Sequence, residues 1–287
     1  MIQEYQMEQL FGKFEKTGYL NENFRLFHIK DQTEKEYSYH YHDFHKVIVF
    51  LSGNVTYRIE GKSYHLRPAD ILLVSRHSIH KPEIDTTIPY ERYILWIRDD
   101  LAHPSLTHCF QQAIDRSFNL VRLQPRLQEK LRNVLLEMEA ALKELSGNES
   151  SYGTQLLYDA LFTQFMVYLN RIYLDKEYIY DRKSYTYDSH VDQILQYINR
   201  NLTGDLSIDT LSRKYYLSKY HMMRKFKEET GYTIHNYIIS KRLLTARTKI
   251  ADGMPVIKAA LSSGFKDYTA FERAYKKQFG KAPSQNR

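Results

Sequence analysis

The sequence predicts an α+β protein in three parts. These are an N-terminal antiparallel β-barrel, a helical hairpin, and an all-helical C-terminal domain with two helix-turn-helix units. Three observations carry this. Short apolar or alternating runs between residues 24 and 98 are separated by turn residues. Two later stretches repeat leucine and other apolar residues at helical spacing. Beyond residue 188, a short helix, a turn and a capped basic helix occur twice.

The strand runs are Lys46 to Leu51 (KVIVFL), Val55 to Ile59 (VTYRI), Ile71 to Val74 (ILLV) and Tyr93 to Ile97 (YILWI). Ser52-Gly53-Asn54, Glu60-Gly61-Lys62 and Arg67-Pro68-Ala69-Asp70 punctuate them, and many short strands at this spacing predict an antiparallel barrel or sandwich. Leu127, Leu131, Val134, Leu135, Met138, Leu142 and Leu145 fall on one helical face, which Gly147 and Asn148 end. Leu157, Leu161, Phe165, Leu169 and Ile172 mark a second helix, and the two are expected to pack as an antiparallel hairpin. Residues 174–188 are polar, charged and tyrosine-rich without a period and read as a linker. The expected domains are therefore 1–100, 101–173 and 189–287, with the linker between the last two.

A chain of 287 residues with 43% hydrophobic and 26% charged content is long enough for two cores and is not compositionally disordered. The single cysteine, Cys109, excludes an intrachain disulfide and fits a reducing cytoplasm. The first residues lack a basic stretch followed by an apolar one, so no signal peptide is expected, and no apolar run approaches a membrane span. The net charge of +7 is uneven. Residues 188–287 hold 18 Lys/Arg against 9 Asp/Glu, a net +9, and the rest of the chain is −2. A basic domain on a slightly acidic one points to a polyanionic partner.

The local chemistry of the basic domain is explicit. Ser207 is suited to cap IDTLSRKY, and Ser218 to cap KYHMMRKFKEET, which Gly231 ends. Met222 and Phe226, four residues apart, point inward; Lys219, Tyr220, Met223, Arg224 and Lys227 point out. A connecting helix from Thr233 to about Ala251 follows, with Tyr237, Ile238, Leu243, Ala246 and Ile250 inside. Pro255 then opens VIKAALSS, Gly264 makes the turn, and Asp267 caps YTAFERAYKKQF, which ends at Gly280. Phe271, Ala274 and Tyr275 face in, while Tyr268, Thr269, Glu272, Arg273 and Lys276 face out.

These residues resemble the AraC/XylS family of bacterial transcriptional regulators across 190–287. Gly264-Phe265, Asp267, Phe271, Arg273, Gly280 and Pro283 recur at the family's spacing. Ala259, Ser212 and Asn286 depart from it, standing where a larger aliphatic, an alanine and an aromatic are usual. The resemblance implies that each second helix enters the major groove of double-stranded DNA. It assigns base reading to Tyr220, Met223 and Arg224 in the first unit and to Tyr268, Thr269 and Arg273 in the second. Arginine bonds guanine O6 and N7, threonine bonds base edges, and methionine and tyrosine suit thymine methyls. Lys219, Lys227, Lys276 and Arg242 are placed for phosphates. The competing reading pairs Arg224 and Arg273 with Glu228 and Glu272.

Residues 24–98 are similar to the cupin-type sensory barrel of many family members, on His42, Gly53, Pro68, Asp70 and His80. His42, Tyr57, His80, Tyr93 and Trp96 are expected to face inward and to bind a small hydroxylated effector such as a sugar. His40, His42, His45 and His80 invite a metal reading, since imidazoles two apart on a strand share a face. Lys46 stands where an acidic ligand is common, however, and sensory relatives usually lack metal, so no metal and no cofactor are expected. The resemblance implies a cytoplasmic, non-enzymatic regulator, an activator and homodimer that works with RNA polymerase and does not contact a membrane. The alternative of another class is a metal-dependent cupin enzyme tethered to a DNA-binding domain.

Overall fold

The structure, a computed structural model, describes residues 15–32, 37–147, 151–178 and 184–286. Asn148 and the 179–183 portion of the expected linker lie outside the described residues. The chain divides into two compact units. Among the described residues, one comprises those within 17–59 and 63–186; the other is built on 187–286 and also takes in 15–16 and 60–62. Among the described residues, no helix is long and apolar enough to cross a membrane.

Among the described residues the main strands of the first unit are β1 Phe24–Asp31, β2 His40–Tyr41, β3 His45–Ser52, β4 Val55–Ile59, β5 Lys62–His65, β6 Ile71–Val74, β7 His80–Ile84, β8 Tyr90–Ile97 and β9 Leu120–Val121. One sheet runs β9-β6-β3-β8-β1, and the other contains β2, β7, β4 and β5 in that order. Pairing is antiparallel: His45 to Ile97, Ile48 to Ile94 and Phe50 to Arg92 between β3 and β8, and Val55 to Ile84 and Ile59 to His80 between β4 and β7. The four expected strand runs fall inside β3, β4, β6 and β8.

Strand alternation gives the five-stranded sheet β9-β6-β3-β8-β1 two different faces. Ile48, Phe50, Leu72 and Val74 turn toward the other sheet and pack with Val55, Tyr57, Ile59, Tyr64 and Tyr90. Their neighbours Val47, Val49, Leu73, Tyr93, Leu95 and Ile97 turn the other way, onto helices. Those helices are α1 His108–Arg116, α2 Pro125–Leu145 and α3 Thr154–Leu174. α2 buries Leu131, Val134, Leu135, Met138 and Ala141. α3 buries Tyr158, Leu161, Phe162, Phe165, Met166, Leu169, Ile172 and Tyr173. The expected periodicity is thus present, with one correction: Leu157 is exposed, and Tyr158 takes the inward place. One residue is a 100° rotation of a helix, so Tyr158 and not Leu157 aligns with Leu161, Phe165 and Leu169.

From Ser189 onward the elements of the second unit are helices: α4 Ser189–Arg200, α5 Ile208–Tyr215, α6 Lys219–Thr230, α7 Ile234–Ala251, α8 Val256–Leu261 and α9 Tyr268–Phe279. Asp188, Ser207, Ser218, Thr233 and Asp267 cap their helices through side-chain oxygens. Around α7, Leu243, Ala246 and Ile250 pack with Ala259, Ala260, Phe265, Phe271 and Tyr275 into one core. Gly264 is required at the turn between α8 and α9. Its φ is +97°, and a β-carbon there would stand 2.2 Å from the Leu202 carbonyl oxygen.

Candidate nucleic-acid interface and effector pocket

α6 and α9 are built alike. Each has 12 residues between an oxygen cap and a left-handed glycine, Ser218 to Gly231 and Asp267 to Gly280. Ser218 Oγ accepts from the His221 amide at 3.3 Å, and Asp267 Oδ1 accepts from the Ala270 amide at 2.7 Å. Met222 and Phe226 are buried on α6; Phe271 and Tyr275 are buried on α9. Anchoring each helix by two residues four apart leaves the opposite stripe outside. Tyr220 (74% exposed), Met223 and Arg224 occupy that stripe on α6, and Tyr268, Thr269 and Arg273 occupy it on α9. Lys219, Lys227 and Lys276 are exposed beside them.

Two of these cations already have partners. Arg224 donates to Glu228 at 3.2 Å, and Lys219 is ion-paired with Asp209 across the turn. Both pairs are exposed, a setting in which such contacts are worth about 0–1 kcal/mol and yield readily to a stronger anion. Arg242 differs. Its Nε donates to the Leu202 carbonyl at 2.7 Å and its Nη2 to the Gly204 carbonyl at 3.1 Å. That ties α7 to the loop after α4, so the guanidinium expected on a phosphate is a brace inside the domain. Ser212, one of the departures from the family pattern, donates from Oγ to the Leu217 carbonyl at 2.6 Å and fastens the first turn. Nothing in the sequence marks that bond, because the acceptor is a backbone atom five residues on.

The barrel site divides the expected inward residues. Tyr57 is buried between the sheets, and burial pushes its hydroxyl well above the ordinary range. Trp96 lies opposite Lys46 on the interior face of the five-stranded sheet. Tyr93 is a correction: it lies on the helical face, where its hydroxyl donates to Glu139 of α2 at 2.5 Å. Tyr93 and Trp96 are three residues apart on one strand, and odd separations point to opposite faces. The residues sharing the interior face with Trp96 are Arg92 and Lys46, which the expected pocket omitted. The even spacing of Arg92 from Trp96 was the available signal. Burial, and then the charge of Arg92, lower the Lys46 amine to about 7.

Three histidines meet in this interior. His40 pairs with His80 across β2 and β7, and their ring centroids are 4.4 Å apart. His42 stands 4.9 Å from His80 and 5.1 Å from His40 by the same measure. Burial, with the charges of Lys46, His40 and His42, holds His80 well below its ordinary value, so its ring is neutral near pH 7. His45 goes elsewhere. Its Nε2 donates to Asp99 at 2.8 Å and its Nδ1 accepts from the Arg76 amide at 3.1 Å, which commits both nitrogens. Buried polar atoms without a hydrogen-bond partner among the described residues include His80 Nε2, Arg92 Nε and Trp96 Nε1.

Comparison with known proteins agrees with both units. The AraC-like ligand binding domain matches residues 26–166, and a helix-turn-helix domain matches residues 211–287. The probable transcription factor PqrA of Proteus vulgaris is 33% identical over 100 residues, which cover 34% of this chain and 82% of PqrA. The chain belongs to the AraC/XylS family. As such it is a DNA-binding transcriptional regulator with a ligand-binding domain. The HTH-type transcriptional activator RhaS of Klebsiella pneumoniae is similar over most of the length, 20% identical across 247 residues and 85% of each chain. The right origin-binding protein of Escherichia coli is 33% identical over 95 residues, a span of 33% of either chain. In this AraC/XylS member the departure Ala259 is fully buried in the core around α7. Asn286 ends a short 3-10 turn from Pro283.

Proposed function

We propose that this regulator reads DNA with the outer stripes of α6 and α9 and is controlled by a small hydroxylated molecule, such as a sugar, held in the barrel. Tyr220, Met223 and Arg224 contact bases from the first unit, and Tyr268, Thr269 and Arg273 from the second. Lys219, Lys227 and Lys276 fix the register on phosphates. The single observation that carries the reading is the twice-built helix, apolar on one side and exposed, basic and aromatic on the other. DNA contact replaces the exposed pairs of Lys219 and Arg224 with phosphate or base partners.

The effector site is formed by His42, Tyr57, His80 and Trp96, joined by Lys46 and Arg92. A bound polar molecule satisfies His80 Nε2, Trp96 Nε1 and Arg92 Nε, each of which otherwise costs about 1–3 kcal/mol. Leu136 on α2 and Leu156 and Leu157 on α3 are exposed and supply apolar surface for a second copy. Effector binding shifts the equilibrium between arrangements of the paired DNA-binding units, and the outcome is activation through RNA polymerase; the name of RhaS records activation, and no route to it, for that protein.

The test uses a fragment spanning residues 188–287. It is expected to fold and to bind operator DNA with an affinity that falls steeply as salt rises. A folded fragment with no salt-sensitive binding overturns the DNA reading. Thermal-shift screening of the full chain against sugars and related metabolites tests the effector, because a ligand of the native state raises its melting temperature.

A further inference from the structure

Lys46 is a buried cation without a counter-charge. It sits on β3 at 7% exposure, and among the described residues it has neither a hydrogen bond nor an ion pair. Alternation places it on the interior face, in line with Ile48 and Phe50. Trp96 lies opposite it across β3 and β8, and Arg92 lies opposite Phe50 in the same pairing. Its charge acts on His80 of the other sheet. An amine taken out of water is costly unless an opposite charge meets it. A methionine or leucine would fill the same place without that cost, so packing does not account for the amine.

The groups around Lys46 define what can meet it. Arg92 is already neutralised, because its Nη1 and Nη2 donate to Asp31 at 2.7 and 3.1 Å. Nη1 also donates to the Tyr90 carbonyl at 3.0 Å, while Nε stays buried and unbonded. Burial holds the Tyr57 and Tyr90 hydroxyls above their ordinary range, so both are neutral near pH 7. His80 Nδ1 lies 2.9 Å from the Ser78 carbonyl oxygen. A carbonyl oxygen only accepts, so Nδ1 donates, and the neutral ring keeps an acceptor at its unbonded Nε2. Trp96 Nε1, also unbonded, only donates. Among the described residues this face therefore offers one uncompensated positive charge, two N–H donors and one acceptor.

We propose that the barrel effector is a monoanionic hydroxylated acid, a sugar acid. Its carboxylate is held by Lys46 and by Arg92 Nε, and its hydroxyls meet His80 Nε2 and Trp96 Nε1. Sugar acids are a subset of the small hydroxylated effectors argued above, and their assignment rests on that reading. A carboxylate carries one negative charge and balances the one uncompensated cation. A phosphate ester carries about −1.5 to −2 near pH 7 and overshoots it. A hydroxyl both donates and accepts, so it serves the histidine acceptor and the indole donor alike. A neutral sugar completes those hydrogen bonds but leaves the amine uncompensated.

Two variants of the full chain test this. Lys46→Met keeps an unbranched apolar stem and removes the amine. Without ligand it is expected to melt at a higher temperature than wild type, because a buried unpaired group is gone. An unchanged or lower melting temperature shows that the amine is already compensated and overturns the proposal. Calorimetric titration then compares glucuronate, galacturonate and gluconate with glucose, galactose and glucose phosphate. At least one acid is expected to bind, and to do so at least about tenfold more tightly than its neutral parent and than the phosphate. Lys46→Met is expected to weaken that acid by about tenfold or more. Trp96→Phe, which loses the indole donor, is expected to weaken acid and neutral sugar alike. A neutral sugar that binds as tightly as its acid, and is weakened by Trp96→Phe, overturns the acid and leaves the effector reading standing. Acid binding that survives in both variants lies outside the barrel and overturns both. Tighter binding of the phosphate, or a panel in which no acid binds, overturns the proposal.

Discussion

The two units place their polar side chains on opposite sides of their hydrophobic cores. In the C-terminal unit the core is closed around α7, and Lys219, Tyr220, Arg224, Lys227, Tyr268, Arg273 and Lys276 stand outside it. In the barrel unit His40, His42, Lys46, His80 and Arg92 are buried within the sheets. An outward basic stripe has its hydration and its weak pairs until a polyanion arrives, so it costs the free protein little. Inward polar atoms lack water and must find partners or remain a penalty. The C-terminal unit suits a partner far larger than itself; the barrel unit suits a molecule small enough to be enclosed.

The sharpest way to break this comparison is to remove the C-terminal core while leaving the barrel alone. Phe271→Ala deletes a fully buried ring and is expected to destabilise that unit by about 3–5 kcal/mol. Differential scanning calorimetry of the full chain should then show the C-terminal transition lowered or lost and the barrel transition in place. A parallel fall of both would mean that the units do not fold independently.

Outward groups are tested by sequence preference. Arg224→Ala and Arg273→Ala are each expected to weaken operator binding by roughly 1–3 kcal/mol and to relax preference at one base pair. The two relaxed positions should lie about 10 base pairs apart, one helical turn. Selection from a randomised site checks this. Weaker binding with an unchanged selected sequence would make both residues phosphate clamps.

Inward groups are tested by pH. Burial is the largest cause lowering the His45 value, although the bond it donates to Asp99 opposes it. A histidine whose folded value lies below its unfolded one binds its proton first in the unfolded chain. Stability is therefore lost as pH falls below about 6.5 and continues to fall until the folded ring protonates. His45→Gln should reduce the slope of barrel stability in this window by at most about 1.4 kcal/mol per pH unit, the share of one proton. Chemical denaturation between pH 5 and 8 reads it, and an unchanged slope would show that His45 is not the buried proton site described.

The smallest effect belongs to Lys227. Lys227→Ala should weaken binding to all sequences about equally and reduce the slope of log K against log salt by about 1. A changed base preference would move Lys227 from phosphate to base.

Much of this was written in local sequence. Caps, four-residue apolar spacings and terminal glycines act within one turn of helix, so α6 and α9, their buried anchors and their outer stripes follow from the chain alone. The strand runs of β3, β4, β6 and β8 are equally local. What one strand or helix cannot encode is its neighbour across space. The sequence set Tyr93 and Trp96 on opposite faces by alternation, but only the packed sheets decided that Trp96 takes the interior and Tyr93 meets Glu139. Arg242 looked like any basic residue on a helix until the Leu202 and Gly204 carbonyls came to it from a distant loop. His40, His42, His45 and His80 were four equal candidates along the chain. Tertiary pairing of β2 with β7 brought three of them together, and Asp99 drew the fourth away, because hydrogen-bond partners are fixed by distances in space and not by spacing in sequence.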